Sequence, residues 1–429
     1  MLIASIIIFV ITYICMFVFQ KYRPYIALLS ATIFVILGYV NKAFGLKEMF
    51  TQYIDFNVLL MIVGTMITVS LMIDSKMPSL MADILIEKVP NIMWAIVVLS
   101  LFAGIVSAFI DNVATVLMIA PIALEISKKK NINPVGMIIA IAVSSNLQGA
   151  ATLVGDTTSI LLGGYANMNF LDFFFIEGKP SIFFATEIGA LCSALLLFII
   201  FRKEKQPIEA GERTEVNDYV PTILLGLTVI ALIVASFFNI DFALLNGTIC
   251  MSFAIIGLIY TVIKNKTFKA LAKPIKDIDY QTVLLLFGLF IVIGGITEFG
   301  VIDAIAKLFN KISGGNLFLM YTIIVWLSVV FSAFIDNIPY VATMLPVVSK
   351  IGLSFGLANP LLLYFGLLCG ATLGGNLTPI GASANITAIG ILRKEGYEVK
   401  NSDFLKIGVP FTLAAVIPAY IFIWFVFKP

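Results

Sequence analysis

The 429-residue chain contains no histidine. Imidazole is therefore missing both as an acid–base group near neutral pH and as a metal ligand, so proton chemistry falls to carboxylates. Charge is also scarce. Asp, Glu, Lys and Arg make up 12% of the residues, about half the share in soluble globular chains. The 27 basic and 25 acidic residues leave a net charge of +2, and nothing resembles the basic footprint of a nucleic-acid-binding protein. The four cysteines, Cys15, Cys192, Cys250 and Cys369, each lie in an apolar run without metal-ligand spacing and read as small buried residues. Metal-dependent hydrolysis is excluded for want of ligands, and no bound cofactor is expected.

What is present is apolar sequence. Hydrophobic residues make up 60% of the chain, and mean hydropathy is +1.06. The apolar runs approach the length that crosses the roughly 30 Å hydrocarbon core as helix. The chain reads as an all-α polytopic membrane protein whose first partner is the lipid bilayer. About ten transmembrane helices are expected from run length, over 3–19, 24–41, 56–74, 135–165, 182–201, 219–238, 242–263, 280–297, 359–392 and 404–427. The first run has no basic residue ahead of it, whereas Lys21 and Arg23 follow it. It reads as a retained helix rather than a cleaved leader, with its downstream end in the cytoplasm.

Two further stretches, 91–127 and 316–349, are too long for one crossing. Each contains the hexapeptide SAFIDN, at 107–112 and 332–337. Each is either a re-entrant hairpin with the hexapeptide at its tip or two short crossings joined there. Irregular backbone at membrane depth must be buried in protein or face a water-filled cavity. With hairpins, 20 of the 27 basic residues fall on one side and 7 on the other. The positive-inside rule then places both termini outside the cell (inner) membrane. Segment 202–218, RKEKQPIEAGERTEVND, reads as a cytoplasmic linker. Segments 79–89 and 301–312 suit helices lying along the interface.

The two hexapeptides are 225 positions apart, and the correspondence extends outwards. DFNVLLMIVG (55–64) answers DYQTVLLLFG (279–288) at an offset of 224, which Asp74 and Glu298 keep. GAATLVGDTTSI (149–160) is read against CGATLGGNLTPI (369–380) at an offset of 220. That register sets Thr152 against Thr372, Gly155 against Gly375, Asp156 against Asn376 and Thr158 against Thr378. A duplication follows, with a first repeat over 1–201 (hairpin 91–127, broken helix 135–165) and a second over 219–429 (hairpin 316–349, broken helix 359–392). Five crossings per half turn the second half upside down. The expected architecture is therefore two inverted-topology repeats, two re-entrant hairpins and two broken helices, with the site at their interface near the midplane.

The breaks carry the chemistry. Gly155 and Gly375 permit unusual backbone angles, and half-helix ends offer N–H groups to anions and carbonyls to cations. Asn112, Thr115, Thr152, Thr158, Asn337, Thr343, Asn376, Thr378, Ser383 and Asn385 complete the candidate binding shell. Segments 91–124, 134–166, 316–349 and 359–392 contain no Lys or Arg but three deep carboxylates, Asp111, Asp156 and Asp336. An aspartate at a helix centre costs roughly 2.5–3.5 kcal/mol on insertion scales. Three together call for protonation or a bound cation, so a coupling proton or sodium is expected. Capping of broken helix ends is the alternative role, and it is compatible with the first.

The stretches SAFIDNVATVLMIAPIALEI, GAATLVGDTTSILLGG, SAFIDNIPYVATMLPVV and GGNLTPIGASANITAIGIL resemble the arsenite permease/P-protein family of the ion-transporter superfamily. Citrate and dicarboxylate carriers and one class of sodium/proton antiporters are relatives. The resemblance implies two inverted repeats, each with a hairpin and a broken helix, often assembled as a homodimer. It places the hairpin tips at Asp111-Asn112 and Asp336-Asn337. The broken-helix loops fall at Gly155-Asp156-Thr157-Thr158 and Gly375-Asn376-Leu377-Thr378-Pro379. Many P-protein relatives read Gly-Asp-Pro-Pro-Asn at the first break, where this chain reads GDTTS.

The expected function is secondary active transport, proton- or sodium-coupled, of a small inorganic or organic ion. The resemblance makes an arsenite- or antimonite-type oxyanion or weak acid the default. A sodium/proton antiporter and a citrate or dicarboxylate carrier remain as alternatives, as does a passive channel. An intramembrane aspartyl protease would also use two buried aspartates, but it has no use for duplicated glycine breaks. The chain is not expected to be an enzyme.

Overall fold

A computed structural model describes residues 1–208, 213–238, 240 and 242–429. These residues are nearly all helical. Among them, the strands are a two-residue pair, Phe175–Ile176 with Lys179–Pro180. Its turn places Glu177 and Gly178 at positive φ, the conformation tight hairpins require.

Six helices are long and apolar enough to cross a membrane: Gln20–Val40, Phe56–Asp74, Ile182–Ile200, Leu245–Asn265, Tyr280–Glu298 and Asn401–Phe427. Leu2–Val18 and Val220–Ser236, at 17 residues each, are slightly shorter. The spans expected over 135–165 and 359–392 are each interrupted. The first is Val135–Gln148 followed by Thr157–Tyr165. The second is Leu361–Gly374 followed by Ser383–Lys394. The long stretches around SAFIDN are likewise two helices each, Ile92–Ser107 with Asn112–Lys130 and Leu317–Ser332 with Asn337–Ser354. Outward-facing side chains such as Ile3, Ile14, Leu195, Ile259 and Phe425 are exposed, as lipid-facing surfaces should be. The expected interfacial segments are the helices Met77–Ile86 and Val301–Ser313. The latter meets Leu317–Ser332 at 117°.

Long helices pack in matched pairs. Phe56–Asp74 lies against Leu245–Asn265, and Tyr280–Glu298 lies against Gln20–Val40. A Cβ at Gly64 would sit 2.6 Å from the backbone of Cys250, and one at Gly288 would sit 2.8 Å from that of Ala27. Small residues therefore let both pairs approach closely, the usual packing device between helices in lipid.

The linker is held rather than loose. Ile92 and Met93 N–H groups donate to Gln206 and Glu204 carbonyls. Arg213 pairs with Glu87 through two 2.7 Å bonds and holds its carboxyl below the usual carboxylate range. Thr214 bonds Asp83 through its N–H and its hydroxyl. Residues 209–212 of the linker lie outside the described residues.

The two helix breaks share one geometry, and it corrects the register proposed above. Thr152 and Thr378 have nearly the same extended conformation, φ −130°, ψ 166° and φ −128°, ψ 160°. The hydroxyl of Thr152 donates to the Ala108 carbonyl, and that of Thr378 donates to Ala333. A Cβ on Gly155 would lie 2.6–2.8 Å from the carbonyl oxygens of Gly149, Ala108 and Ser107. On Gly381 it would lie 2.5–3.0 Å from those of Gly375, Ser332 and Ala333. The matching offset is 226, not 220: Gly149-x-x-Thr152-x-x-Gly155 corresponds to Gly375-x-x-Thr378-x-x-Gly381. Asp156 then corresponds to Ala382, and Thr158 to Ala384, so neither has a polar counterpart. The physical reason is the hexapeptide itself. Its first carbonyls must rest on a residue without a side chain, next to a threonine that satisfies one of them.

These carbonyls are backbone and cannot move aside. Gly155→Ala and Gly381→Ala should each lower stability by about 1–3 kcal/mol through overpacking. Gly226, which has nothing within 4 Å of its Cβ position, serves as the control. Thermal unfolding in detergent checks this, and equal midpoints for all three variants would contradict the account.

Candidate binding site at the helix breaks

Four helices begin at one cavity. Asn112–Lys130, Thr157–Tyr165, Asn337–Ser354 and Ser383–Lys394 each place a first-turn residue on its wall. The cavity has a volume of about 320 Å³. From the first half, its lining includes Asp111, Asn112, Asp156 and Thr157. From the second half it includes Asn337, Ile338 and Ser383. Ser70, Lys273, Asp277 and Asp279 complete one side.

The hexapeptide aspartates cap their own helices. Asp111 accepts from the N–H groups of Val113 and Ala114 at 2.9 and 3.2 Å. Asp336 accepts from Ile338 at 3.1 Å. Asp156 stands at the N-cap of Thr157–Tyr165 but accepts no helix N–H. Its carboxylate accepts instead from the Thr158 hydroxyl at 3.0 Å. Ala382 caps Ser383–Lys394 and has no side-chain acceptor. Two of the four helix starts therefore lack a side-chain cap.

Behind the cavity, a buried polar seam joins the halves. Asn112 Nδ2 donates to Asn146 Oδ1 at 2.9 Å. Asn146 Nδ2 donates to the Thr372 carbonyl at 2.7 Å and to Asn376 Oδ1 at 3.0 Å. Asn376 Nδ2 donates to the Val143 carbonyl at 2.9 Å. The Thr158 and Thr372 hydroxyls are 3.0 Å apart. Ser145 donates to the Ser107 hydroxyl and the Asn112 carbonyl.

Of the fifteen candidate residues, Asp111, Asn112, Asp156, Asn337 and Ser383 line the cavity. Thr158 and Asn376 belong to the seam. Thr152, Gly155, Gly375 and Thr378 build the breaks. Asn385 braces the second break, donating to the Gly375 and Thr378 carbonyls. Thr115 is fully buried with an unpartnered hydroxyl. Thr343 is not part of the cavity lining, and its hydroxyl bonds Tyr13.

Two expectations change. Asp336 does not line the cavity and is not unpaired: Arg23 Nη1 is 2.9 Å from its Oδ2. Arg23, read from sequence as a cytoplasmic topology anchor, begins the helix Arg23–Val40 and reaches a hexapeptide aspartate 313 positions away. It lies outside the four apolar segments that hold the tips and breaks. Asn146, the hub of the seam, was also not singled out. Its signal was an asparagine in the last turn of the apolar half-helix Val135–Gln148, with no carboxylate beside it. Lys273 reaches the cavity wall, where it is paired with Asp74.

Asn146→Ala strands partners on both halves, and an unsatisfied buried polar group costs about 1–3 kcal/mol. Because Asn146 and Asn376 share a bond, Asn146→Ala and Asn376→Ala should be non-additive by about 0.5–3 kcal/mol. Unfolding of the two single variants and the double variant measures the coupling. Strict additivity would show that the seam does not join the halves energetically.

Residues 7–370 match the CitMHS family, described as citrate transporters. The uncharacterized transporter Rv2685 of Mycobacterium tuberculosis is 28% identical over 408 residues, covering 93% of this chain and 92% of its own. The P protein of Mus musculus is 24% identical over 441 residues, covering 84% of this chain and 53% of its own, so the P-protein side of the resemblance is present among the relatives. The crystal structure of the Alcanivorax borkumensis YdaH transporter shares the fold. It has a TM-score of 0.61 and 12% identity, covering 95% of this chain and 98% of that one. With its apolar helices, this chain is a multi-pass membrane protein and a transporter rather than an enzyme, and it belongs to the citrate transporter (CitMHS) family.

Proposed function

We propose that this protein is a secondary active transporter that moves a small carboxylate of the citrate class, coupled to protons or sodium. The observation that carries the reading is the convergence of four helix starts on one cavity. Helix N-termini carry partial positive charge and unpaired N–H groups, which favour anions. Two of these starts have no capping side chain. The same cavity is lined by Asp111, Asp156, Asp277 and Asp279, and a multiply charged carboxylate would be repelled by them unless cations entered with it. Coupling therefore follows from the charge of the floor. The two halves work as inverted repeats, and the cavity opens alternately to the two sides of the membrane.

The family description supports a carboxylate over the arsenite-type oxyanion suggested by the sequence. A second reading, cation/proton antiport, is favoured by the four carboxylates that line the cavity.

Proteoliposomes containing the full chain and a pH-sensitive dye separate these readings. Citrate should move on an imposed proton or sodium gradient. Asp111→Asn and Asp156→Asn should each weaken coupling by roughly 5–150-fold. Dye responses to sodium alone, without any anion, would establish antiport. Transport on arsenite or antimonite but not citrate would return the substrate to the oxyanion class. Unchanged flux in both aspartate variants would remove the cation from this floor.

A further inference from the structure

The two hexapeptides are identical, but the half-sites they build are not. At the first tip, Asp111 lines the cavity, and Asp156 stands beside it on the broken helix. At the second tip, Asp336 is turned out of the cavity lining and held by Arg23 at 2.9 Å. Both side chains of that pair are largely buried, with 14% and 12% exposure. The position matching Asp156 is Ala382. The tip and break of the second half therefore bring no carboxylate to the cavity, only Asn337, Ile338 and Ser383; the Asp277 and Asp279 carboxylates on its wall are engaged by the Ser70 hydroxyl and by the start of the helix Tyr280–Glu298.

The amides differ in the same sense. Asn112 Nδ2 is committed to Asn146. The position matching Asn146 in the second half is Thr372, whose hydroxyl bonds Thr158 instead. Asn337, which lines the cavity and is 4% exposed, is left with an Nδ2 that has no hydrogen-bond partner. A buried donor without an acceptor is costly, and an anion bound in the cavity would satisfy it. Beside it, the helix Ser383–Lys394 starts without a capping side chain. Lys273 adds little free positive charge, because it is paired with Asp74.

We infer that the two half-sites have divided the work: the first, with Asp111 and Asp156, binds the coupling cation, and the second, with Asn337, Ser383 and the adjacent helix start, binds the carboxylate of the substrate. Arg23 is the specificity-determining residue of this division. Its guanidinium occupies Asp336, where a cation would otherwise sit, and so makes the second tip compatible with an anion. This rests on the reading of the protein as a cation-coupled carboxylate carrier.

The test uses full-length protein in proteoliposomes, with citrate as substrate and sodium or protons as the driving cation. Arg23→Gln leaves Asp336 unpaired. It should raise the citrate KM at least about tenfold, since removing one member of a desolvated charge pair is costly. Cation dependence should also steepen, because a second anionic site becomes available. Arg23→Lys should stay close to the parent. The decisive variant is Arg23→Gln with Asp336→Asn, which removes both charges. It should restore the citrate KM and the parental cation dependence. A double variant as impaired as Arg23→Gln would reduce Arg23 to a structural brace and overturn the inference. So would an Arg23→Gln variant with a parental KM. Asn337→Ala should raise the citrate KM without changing the cation dependence, and the opposite pattern would reverse the assignment of the half-sites. If the parent itself moves no citrate under any cation gradient, the carrier reading fails and this inference falls with it. The parental control therefore separates the two failures.

Discussion

An interrupted helix inside hydrocarbon exposes N–H and C=O groups that lipid cannot satisfy, and that constraint organises this protein. The chain has two such interruptions next to two SAFIDN turns, and it uses each to satisfy the other. The Ser107 and Ala108 carbonyls rest on Gly155, and Thr152 donates to one of them. Ser332, Ala333, Gly381 and Thr378 do the same in the second half. The glycine admits the carbonyls, and the threonine supplies the hydrogen bond. Locking tip to break in this way aims four helix starts at one cavity.

Once the backbone is satisfied locally, the side chains around the breaks are free to differ. The seam of Asn112, Asn146, Asn376, Thr158 and Thr372 runs between the halves and is fully buried in its middle. It has no two-fold copy, because the position matching Asn146 in the second half is Thr372 rather than a second asparagine. The charges follow the same pattern. Arg23 neutralises one tip aspartate, while the other faces the cavity with Asp156. Two breaks of one geometry thus support an unsymmetrical electrostatic environment.

The positions of the long helices were largely legible. Apolar runs of near-spanning length located the long helices, since only helices satisfy their own backbone in lipid. SAFIDN marked both tips, and the Asp-Asn pair inside each apolar stretch marked the breaks. The local correspondence of the two breaks was misread by six positions. The match ATL (151–153) to ATL (371–373) rests on chemically similar residues that do not occupy the same place. The correct match, Gly-x-x-Thr-x-x-Gly, is sparse in identities because only its threonine and its second glycine touch the hexapeptide carbonyls, while the first glycine packs against the second.

By itself, the sequence determined that this is a polytopic helical membrane protein with two polar interruptions and two paired tips. Those properties depend on local composition and on the cost of placing charge and bare backbone in hydrocarbon. Only the tertiary structure decided which aspartates face the cavity. Arg23 and Asp336 are 313 positions apart, and Asn146 and Asn376 are 230 apart. No local pattern encodes such pairs. They arise when helices from distant parts of the chain pack side by side, and their charges and amides then meet in a space that water and lipid do not fill.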